Sequence, residues 1–127
     1  MEQKLSEKVI GCAIEVSRTL GHGFLERVYE SALAIELNRS GITFERQKPI
    51  PVFYRSELVG DYICDFVIER KLIVEIKAMK TLASAHEAQV LNYLKATDFS
   101  VGLLLNFGNS KLGIRRLVRN HDDSNPF

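Results

Sequence analysis

The spacing of hydrophobic residues changes three times along the chain, from helical to extended, back to helical and again to extended. Apolar side chains first recur every three or four residues, which predicts two amphipathic helices whose buried stripes include Ile14, Leu25 and Val28. Alternating and continuously apolar runs then predict strands. The predicted elements are, in order, helices at 3–20 and 24–39, strands at 42–54, 58–68 and 72–78, a helix at 83–96, and strands at 100–106 and 112–118.

This order predicts an α/β or α+β sandwich built around one sheet. The first three strands form an antiparallel meander, and the third helix crosses over to bring 100–106 into the same sheet. Pro49 and Pro51 suit an edge strand. Because several strands are apolar on both faces, we expect helices to cover both sides of the sheet. Residues 1–120 form a single domain in this interpretation, and 121–127 form a flexible tail.

Composition narrows the functional classes. The chain has 127 residues, a net charge of +1 and 26% charged residues, which excludes a protein that coats polyanions through bulk charge. Cys12 and Cys64 lack the spacing of a zinc finger, so we expect two reduced, buried thiols in a cytoplasmic protein. We find no apolar run long enough for a membrane span and no signal peptide, so no membrane partner is expected.

The second and third strands place acidic residues opposite each other. A short turn at Glu69-Arg70-Lys71 sets the register, although it lacks the glycine that such turns favour. The predicted pairs are Phe66 with Val74 and Cys64 with Ile76 on one apolar face, and Val67 with Ile73 and Asp65 with Glu75 on the other.

Two facing carboxylates in a sheet are costly, because at ~4 Å they repel by about 4 kcal/mol at an effective dielectric near 20. A bound cation or a retained proton relieves this repulsion. Lys77 projects from the same face as Glu75, which completes a cluster of two acids and one amine. Oxygen ligands of this kind suit Mg²⁺ or Mn²⁺, and metal-activated water attacking a phosphodiester fits all three groups. The alternative is a Glu–Lys ladder on a solvated strand.

Several motifs, in the same order, resemble one known family. Asp65 followed by Glu75-Ile76-Lys77 resembles the D-x(n)-E-x-K motif of the PD-(D/E)xK nuclease superfamily. Gly23 to Tyr29 spells G-x-x-E-x-x-Y, and His86 to Leu94 resembles an H-E-A-Q-x-x-x-Y-L segment. Together they resemble the small GxxExxY branch of that superfamily. The resemblance implies a restriction endonuclease-like αβββαβ core, with a central mixed sheet flanked by helices and an extra N-terminal helix.

The resemblance also implies a metal site and a cofactor, Mg²⁺ or Mn²⁺. Asp65 and Glu75 would bind the ion through their carboxylates, and the backbone carbonyl of Ile76 is a further candidate ligand. The first core helix often adds another acid, and Glu26 and Glu30 both qualify because they lie four residues apart on one helical face. Each could instead be an ordinary helix acid, so this choice stays open.

The remaining roles come from the same resemblance. Lys77 would orient the attacking water or stabilise the charged transition state, and Gln89 would contact a substrate phosphate or hold the lysine. Tyr93, Tyr29 and His86 would lie near the substrate. The alternatives are a solvated amide for Gln89, a core position for Tyr93 and a helix cap for His86.

Nucleic acid is the expected partner, with DNA favoured over RNA. Arg115 and Arg116 lie near the last strand, where they and neighbouring cations could contact phosphates. A homodimer or a protein partner could add specificity. The leading hypothesis is therefore a metal-dependent nuclease. The alternatives are a catalytically silent nuclease-fold module that binds nucleic acid or protein, and a plain interaction domain.

Overall fold

A computed structural model describes residues 2–119 of the chain. The number and order of the predicted elements are confirmed, and no end shifts by more than two residues. The elements are α1 (Glu2–Leu20), α2 (Glu26–Arg39), β1 (Phe44–Tyr54), β2 (Glu57–Ile68), β3 (Leu72–Lys77), α3 (Ser84–Thr97), β4 (Val101–Asn106) and β5 (Gly113–Val118). The predicted tail at 121–127 lies outside the described residues.

The five strands form one mixed sheet in the order β1-β2-β3-β4-β5. Neighbouring strands are antiparallel except β3 and β4, which are parallel because α3 connects them as a crossover. β1 is an edge strand, as expected from its two prolines. The mixed α/β architecture agrees with the predicted restriction endonuclease-like fold.

Helices cover both faces of the sheet, as predicted. One core lies between the sheet and the pair α1 and α2, and a second core lies between the sheet and α3. The predicted helical stripes are wrong at three positions, because Ile14, Leu25 and Val28 are exposed, with Leu25 80% exposed. Leu25 immediately precedes α2, and Val28 lies on the exposed side of this helix, next to the fully buried Tyr29. None of the helices described is long and apolar enough to cross a membrane.

The register predicted for β2 and β3 is confirmed over its first part and wrong at its end. Phe66 pairs with Val74, and the ladder stops there. Cys64 and Ile76 do not share an apolar face, because Cys64 packs in the α3 core and Ile76 in the opposite core. The change of face coincides with Gln47, which lies between the β1 partners of Phe66 and Cys64 and has a left-handed φ of 50°.

The turn between β2 and β3 forms without glycine. Glu69 and Arg70 both adopt left-handed backbone conformations, with φ of 49° and 57°, and the Lys71 N–H donates to the Ile68 carbonyl at 3.0 Å. Two successive positive φ angles match the right-handed twist of the flanking strands. The strand pairing therefore imposes on these residues a conformation that their side chains disfavour.

The β1–β2 hairpin extends well beyond the rest of the sheet. Only Phe66 to Ile68 of β2 pairs with β3, whereas β1 and β2 pair along nearly their whole length. We call residues 51–63 of this hairpin the arm. The arm carries exposed apolar side chains on both strands, and one side of it faces α3.

Candidate active site

Asp65 and Glu75 meet where the β2–β3 ladder ends. The Asp65 N–H donates to Glu75 Oε1 at 2.8 Å, and the Ile76 N–H donates to Asp65 Oδ2 at 2.7 Å. The two carboxylates thus occupy the position where main-chain pairing would otherwise continue. The structure therefore brings together the two acids that the sequence places opposite each other, through side-chain rather than main-chain hydrogen bonds.

Both acids are held in surroundings that disfavour their charge. Glu75 is only 4% exposed. Burial, followed by the negative charge of Asp65, raises the pKa of Glu75 to about 8. Burial also raises the pKa of Asp65, against the opposing effect of the Ile76 hydrogen bond. A cation placed near the pair would offset this mutual repulsion.

Lys77 supplies positive charge at the same end of β3. Its charge partly offsets the raised pKa of both Asp65 and Glu75. The Lys77 side chain is half-buried. The Phe107 N–H donates to the Lys77 carbonyl at 2.8 Å, which fixes its main chain beside the end of β4. Within residues 2–119 the structure records no ion pair of the Lys77 ammonium. Its three donors are therefore free to bind an anion.

Helix α2 contacts the site through Glu30. Arg46 donates to Glu30 Oε2 through Nε at 3.1 Å and Nη2 at 3.0 Å. The Gln47 side-chain amide donates to Glu30 Oε1 at 3.0 Å and to Asp65 Oδ1 at 3.3 Å, so it bridges the two acids. Sequence reasoning missed Arg46 and Gln47, and the only available signal was a run of polar residues inside an edge strand.

Glu26 lies on the same side of the molecule but is exposed. Its charge contributes to the raised pKa of Glu75, whereas the charge of Glu30 contributes to that of Asp65. Glu30 is neutralised by Arg46, which makes it the less available of the two helix acids. In the described part of the chain, no three His, Cys, Asp or Glu side chains converge as a group that could hold a metal ion.

Gln89 and Tyr93 lie on one face of α3, which packs over the sheet on the side opposite α1 and α2. Tyr93 is buried, and its hydroxyl donates to the Ile63 carbonyl at 3.4 Å. Burial, followed by the charge of Glu75, raises the pKa of Tyr93 to about 12. Gln89, one turn before Tyr93 on this helix, is half-buried. His86 lies one turn earlier, and its Nδ1 accepts the Ala83 N–H at 2.9 Å, which caps the helix.

The structure does not bring Tyr29 to the surface of the site. Tyr29 is completely buried and stacks on Phe107 with ring centroids 4.7 Å apart. Its hydroxyl donates to the Gly21 carbonyl at 2.7 Å and accepts the Phe24 N–H at 3.2 Å. The tyrosine of the G-x-x-E-x-x-Y segment therefore fastens the α1–α2 connection to the core and to the chain that follows β4.

The two arginines predicted to contact the substrate lie on opposite faces of β5. Arg115 forms an ion pair with Glu87 of α3 at 3.5 Å, whereas Arg116 donates to Ser6 of α1 at 3.4 Å. Arg115 is therefore on the α3 side of the sheet. It pairs with Leu104 of β4, which in turn pairs with Glu75 of β3. The structure does not gather these arginines into one cluster.

Comparison with known proteins assigns this arrangement to a family. The sequence profile of the PD-(D/E)XK nuclease superfamily matches residues 3–117. The chain belongs to the PD-(D/E)XK nuclease superfamily. Its members are typically nucleases that use divalent metals, so a nuclease-type function is indicated. The finer resemblance to the GxxExxY branch stays a prediction. No curated protein and no solved structure matches the chain.

The acids of this PD-(D/E)XK chain suit a divalent metal. Both are hard oxygen donors, and Mg²⁺ is commonly bound by only one or two carboxylates, with water and substrate phosphate completing its shell. Oδ1 of Asp65 faces a side-chain amide rather than a main-chain donor. Burial is the largest cause of both raised pKa values, and a cation bound beside the acids would offset this cost of holding their charge.

The electrostatic state of Glu75 predicts how stability depends on pH in EDTA. Because folding raises its pKa from 4.5 to about 8, the folded state binds this proton more tightly than the unfolded chain does. The free energy of unfolding should therefore fall by about 3–5 kcal/mol as pH rises from below 4.5 to above about 8. Urea unfolding at several pH values measures the fall.

Glu75→Gln should remove most of this dependence, since the amide oxygen still accepts the Asp65 N–H and does not titrate. A residual fall from Asp65, in the same direction, is expected. Glu7→Gln, on the exposed side of α1, serves as the control and should behave as wild type. Equal pH dependence in wild type and Glu75→Gln would contradict the prediction.

Proposed function

We propose that this protein is a metal-dependent nuclease that hydrolyses phosphodiester bonds, with DNA favoured over RNA as the substrate. The observation that carries the proposal is the meeting of Asp65, Glu75 and Lys77 at the point where β2 and β3 separate. Membership of a superfamily of nucleases supports it. A buried acid that faces a second, half-buried acid destabilises a sheet, so their position is best explained by a function.

Asp65 and Glu75 are the residues that would hold Mg²⁺ or Mn²⁺, with the Ile76 carbonyl and Glu26 as further candidate ligands. When bound, the ion supplies Lewis-acid activation of water and neutralises charge on the phosphate. The two main-chain hydrogen bonds to the carboxylates hold them in place before substrate arrives. Glu30 acts indirectly, because Gln47 links it to the Oδ1 atom of Asp65.

Lys77 orients the attacking water or donates to a phosphate oxygen as negative charge builds up. Preorganised donors of this kind stabilise the transition state without rearranging during the reaction. Gln89, on the α3 side of the site, contacts a substrate phosphate. Arg115, which pairs with Glu87, is a further candidate contact for a phosphate on that face. Cleavage of both strands of a duplex would require either two copies of this site or two binding events.

The experiment compares wild type with Asp65→Ala on labelled single-stranded and double-stranded DNA and on RNA, each with Mg²⁺, Mn²⁺ or EDTA. We expect cleavage that depends on the divalent ion and falls at least about 100-fold in the variant, because loss of even an indirect ligand partner costs 10- to 100-fold. Asp61→Ala, an exposed acid on the same strand, should retain activity.

Titration calorimetry with Mn²⁺ alone completes the test. Binding to wild type that is lost in Asp65→Ala supports the assigned ligand. Nucleic-acid binding with neither cleavage nor Asp65-dependent Mn²⁺ binding would overturn the nuclease and favour the catalytically silent module. Absence of cleavage, Mn²⁺ binding and nucleic-acid binding would favour an interaction domain.

A further inference from the structure

A groove of about 690 Å³ lies between the arm and helix α3. One wall comes from Pro51 to Phe53 and Tyr62 of the arm, and the other comes from the outer surface of α3. The volume is typical of sites that hold small organic molecules. The groove exists because the arm extends beyond the sheet and leaves the side of α3 uncovered by strands.

Aromatic side chains dominate one wall of this groove. Phe53 is 61% exposed and Tyr62 is 52% exposed, so large parts of both rings are accessible. Tyr62 also contacts the buried ring of Tyr93, with centroids 6.0 Å apart. This contact supports Tyr62 from behind and leaves the rest of its ring open. Exposed aromatic rings of this kind offer stacking surfaces that a planar ligand can use.

The charge and polarity of the lining favour an anionic, hydrogen-bonding ligand. Among the described residues that line the groove there is no Asp or Glu, and Lys95 is positively charged. Gln89 and Asn92 add amide groups that can both donate and accept hydrogen bonds. A purely apolar partner would leave these groups without partners, whereas a nucleotide could engage them.

The groove adjoins the candidate active site through Tyr93. Tyr93 lines the groove, and its hydroxyl donates to Ile63, two residues before Asp65 on β2. A strand cleaved at the acids must continue past them, and the groove is an adjoining surface that combines aromatic rings with positive charge.

We propose that the groove between the arm and α3 binds single-stranded DNA next to the cleaved phosphate, with nucleobases stacked on Phe53 and Tyr62 and the backbone near Lys95. The proposal rests on the proposed nuclease function for the position of the cleaved phosphate. A duplex cannot use these rings, because its bases are already stacked on one another. Single strands commonly bind through such a combination of aromatic platforms and positive charge.

The test measures binding in EDTA, so that no cleavage is needed. The probe is a short fluorescein-labelled oligothymidylate, followed by fluorescence anisotropy, with the oligo(dA)·oligo(dT) duplex and oligouridylate as parallel arms. Wild type should bind the single strand more tightly than the duplex. Tyr62→Ala and Phe53→Ala should each weaken single-strand binding by about 5- to 150-fold, the loss typical of one stacked base.

Tyr54→Ala is the matched control, since Tyr54 is an aromatic residue of the same arm that is 62% exposed and does not line the groove. It should bind as wild type. Lys95→Ala should lower the slope of log affinity against log salt by about 0.7, the value for one phosphate contact on a single strand. The substituted side chains are all exposed, so circular dichroism should show unchanged folding of the variants at Phe53, Tyr54, Tyr62 and Lys95.

The outcomes of these binding measurements test the groove separately from the proposed nuclease function. Equal binding by wild type, Tyr62→Ala and Phe53→Ala, or tighter binding of the duplex, would overturn the groove assignment even if metal-dependent cleavage were found. Loss of single-strand binding in those variants would support the groove even if no cleavage were detected. Weak binding of every nucleic acid, with capture of an apolar peptide in the same assay, would assign the groove to a protein partner.

Discussion

Lys77→Ala is expected to lower the rate of metal-dependent cleavage by about 100- to 1,000-fold, the loss seen when one preorganised transition-state donor is removed. The ammonium lies near both acids and has no ion-pair partner within the described chain, so no other group in the site replaces it. Single-turnover kinetics with saturating Mg²⁺ would measure the chemical step directly.

The same substitution should leave Mn²⁺ binding intact or make it tighter. Lys77 is a cation close to the carboxylates, so its removal lowers the repulsion that an incoming metal ion meets. A slower chemical step with undiminished metal affinity is therefore the pattern that separates Lys77 from Asp65. Calorimetry on the two variants provides the comparison.

Lys80→Ala is the control for charge, because Lys80 is exposed in the loop that follows β3. It should cleave at the wild-type rate. If Lys77→Ala and Lys80→Ala were equally active, the role assigned to Lys77 would be wrong. If Lys77→Ala lost Mn²⁺ binding instead, the lysine would be needed to hold the acids in place rather than to act on the substrate.

Gly108→Ala is expected to destabilise the protein by at least about 3 kcal/mol, at or above the upper end of overpacking costs in a close-packed interior. A Cβ atom at this position would overlap the main-chain N, C and O atoms of Met79, which are backbone and cannot rotate away. Thermal unfolding followed by circular dichroism should show a midpoint lowered by on the order of 10 °C.

Asn106 explains why these two segments lie so close. Its side-chain Oδ1 accepts the Met79 N–H at 3.0 Å and the Gly108 N–H at 3.1 Å, and its Nδ2 donates to the Met79 carbonyl at 2.8 Å. This buried amide ties the chain after Lys77 to the chain after β4. A side chain at 108 would have to break these bonds, leaving a buried polar group unsatisfied.

Gly11→Ala is the matched control for a glycine change. Gly11 lies on the exposed side of α1 with nothing within 4 Å of an added Cβ. Alanine there should stabilise the helix by roughly 0.5–1 kcal/mol, because it restricts the unfolded chain. A Gly108→Ala protein as stable as wild type would show that the Met79 and Gly108 segments are not held together as described.

The elements of the fold were predictable because hydrophobic period is a local property of the sequence. The predictions that are wrong concern the burial or the sheet face of residues whose position is set by tertiary packing. Leu25 and Val28 continue the apolar pattern of α2, but in the folded chain no neighbouring element covers them and both are exposed. Strict alternation predicts the wrong face for Cys64, because it assumes an unbroken strand. Nothing in a glutamine signals the left-handed backbone that Gln47 adopts opposite this point.

The site was predictable where it depended on pairing between neighbouring strands. Asp65 and Glu75 come together because a short turn sets their register, and both residues are close in sequence to that turn. The contacts of Arg46 and Gln47 with Glu30 depend instead on how α2 packs against the sheet, which no local pattern encodes. The separation of Arg115 from Arg116 follows from strand alternation, which places consecutive residues of β5 on opposite faces of the sheet.

The limited pairing between β2 and β3 has a consequence for how this chain can diverge in evolution. Because the arm joins the central sheet only near Phe66, substitutions at its tip leave the two cores and the paired acids untouched. Such positions can accumulate mutations without first requiring compensating changes elsewhere. We therefore expect the arm to be the segment that varies most among homologous chains, so that new binding preferences can arise while the cluster of Asp65, Glu75 and Lys77 is inherited unchanged.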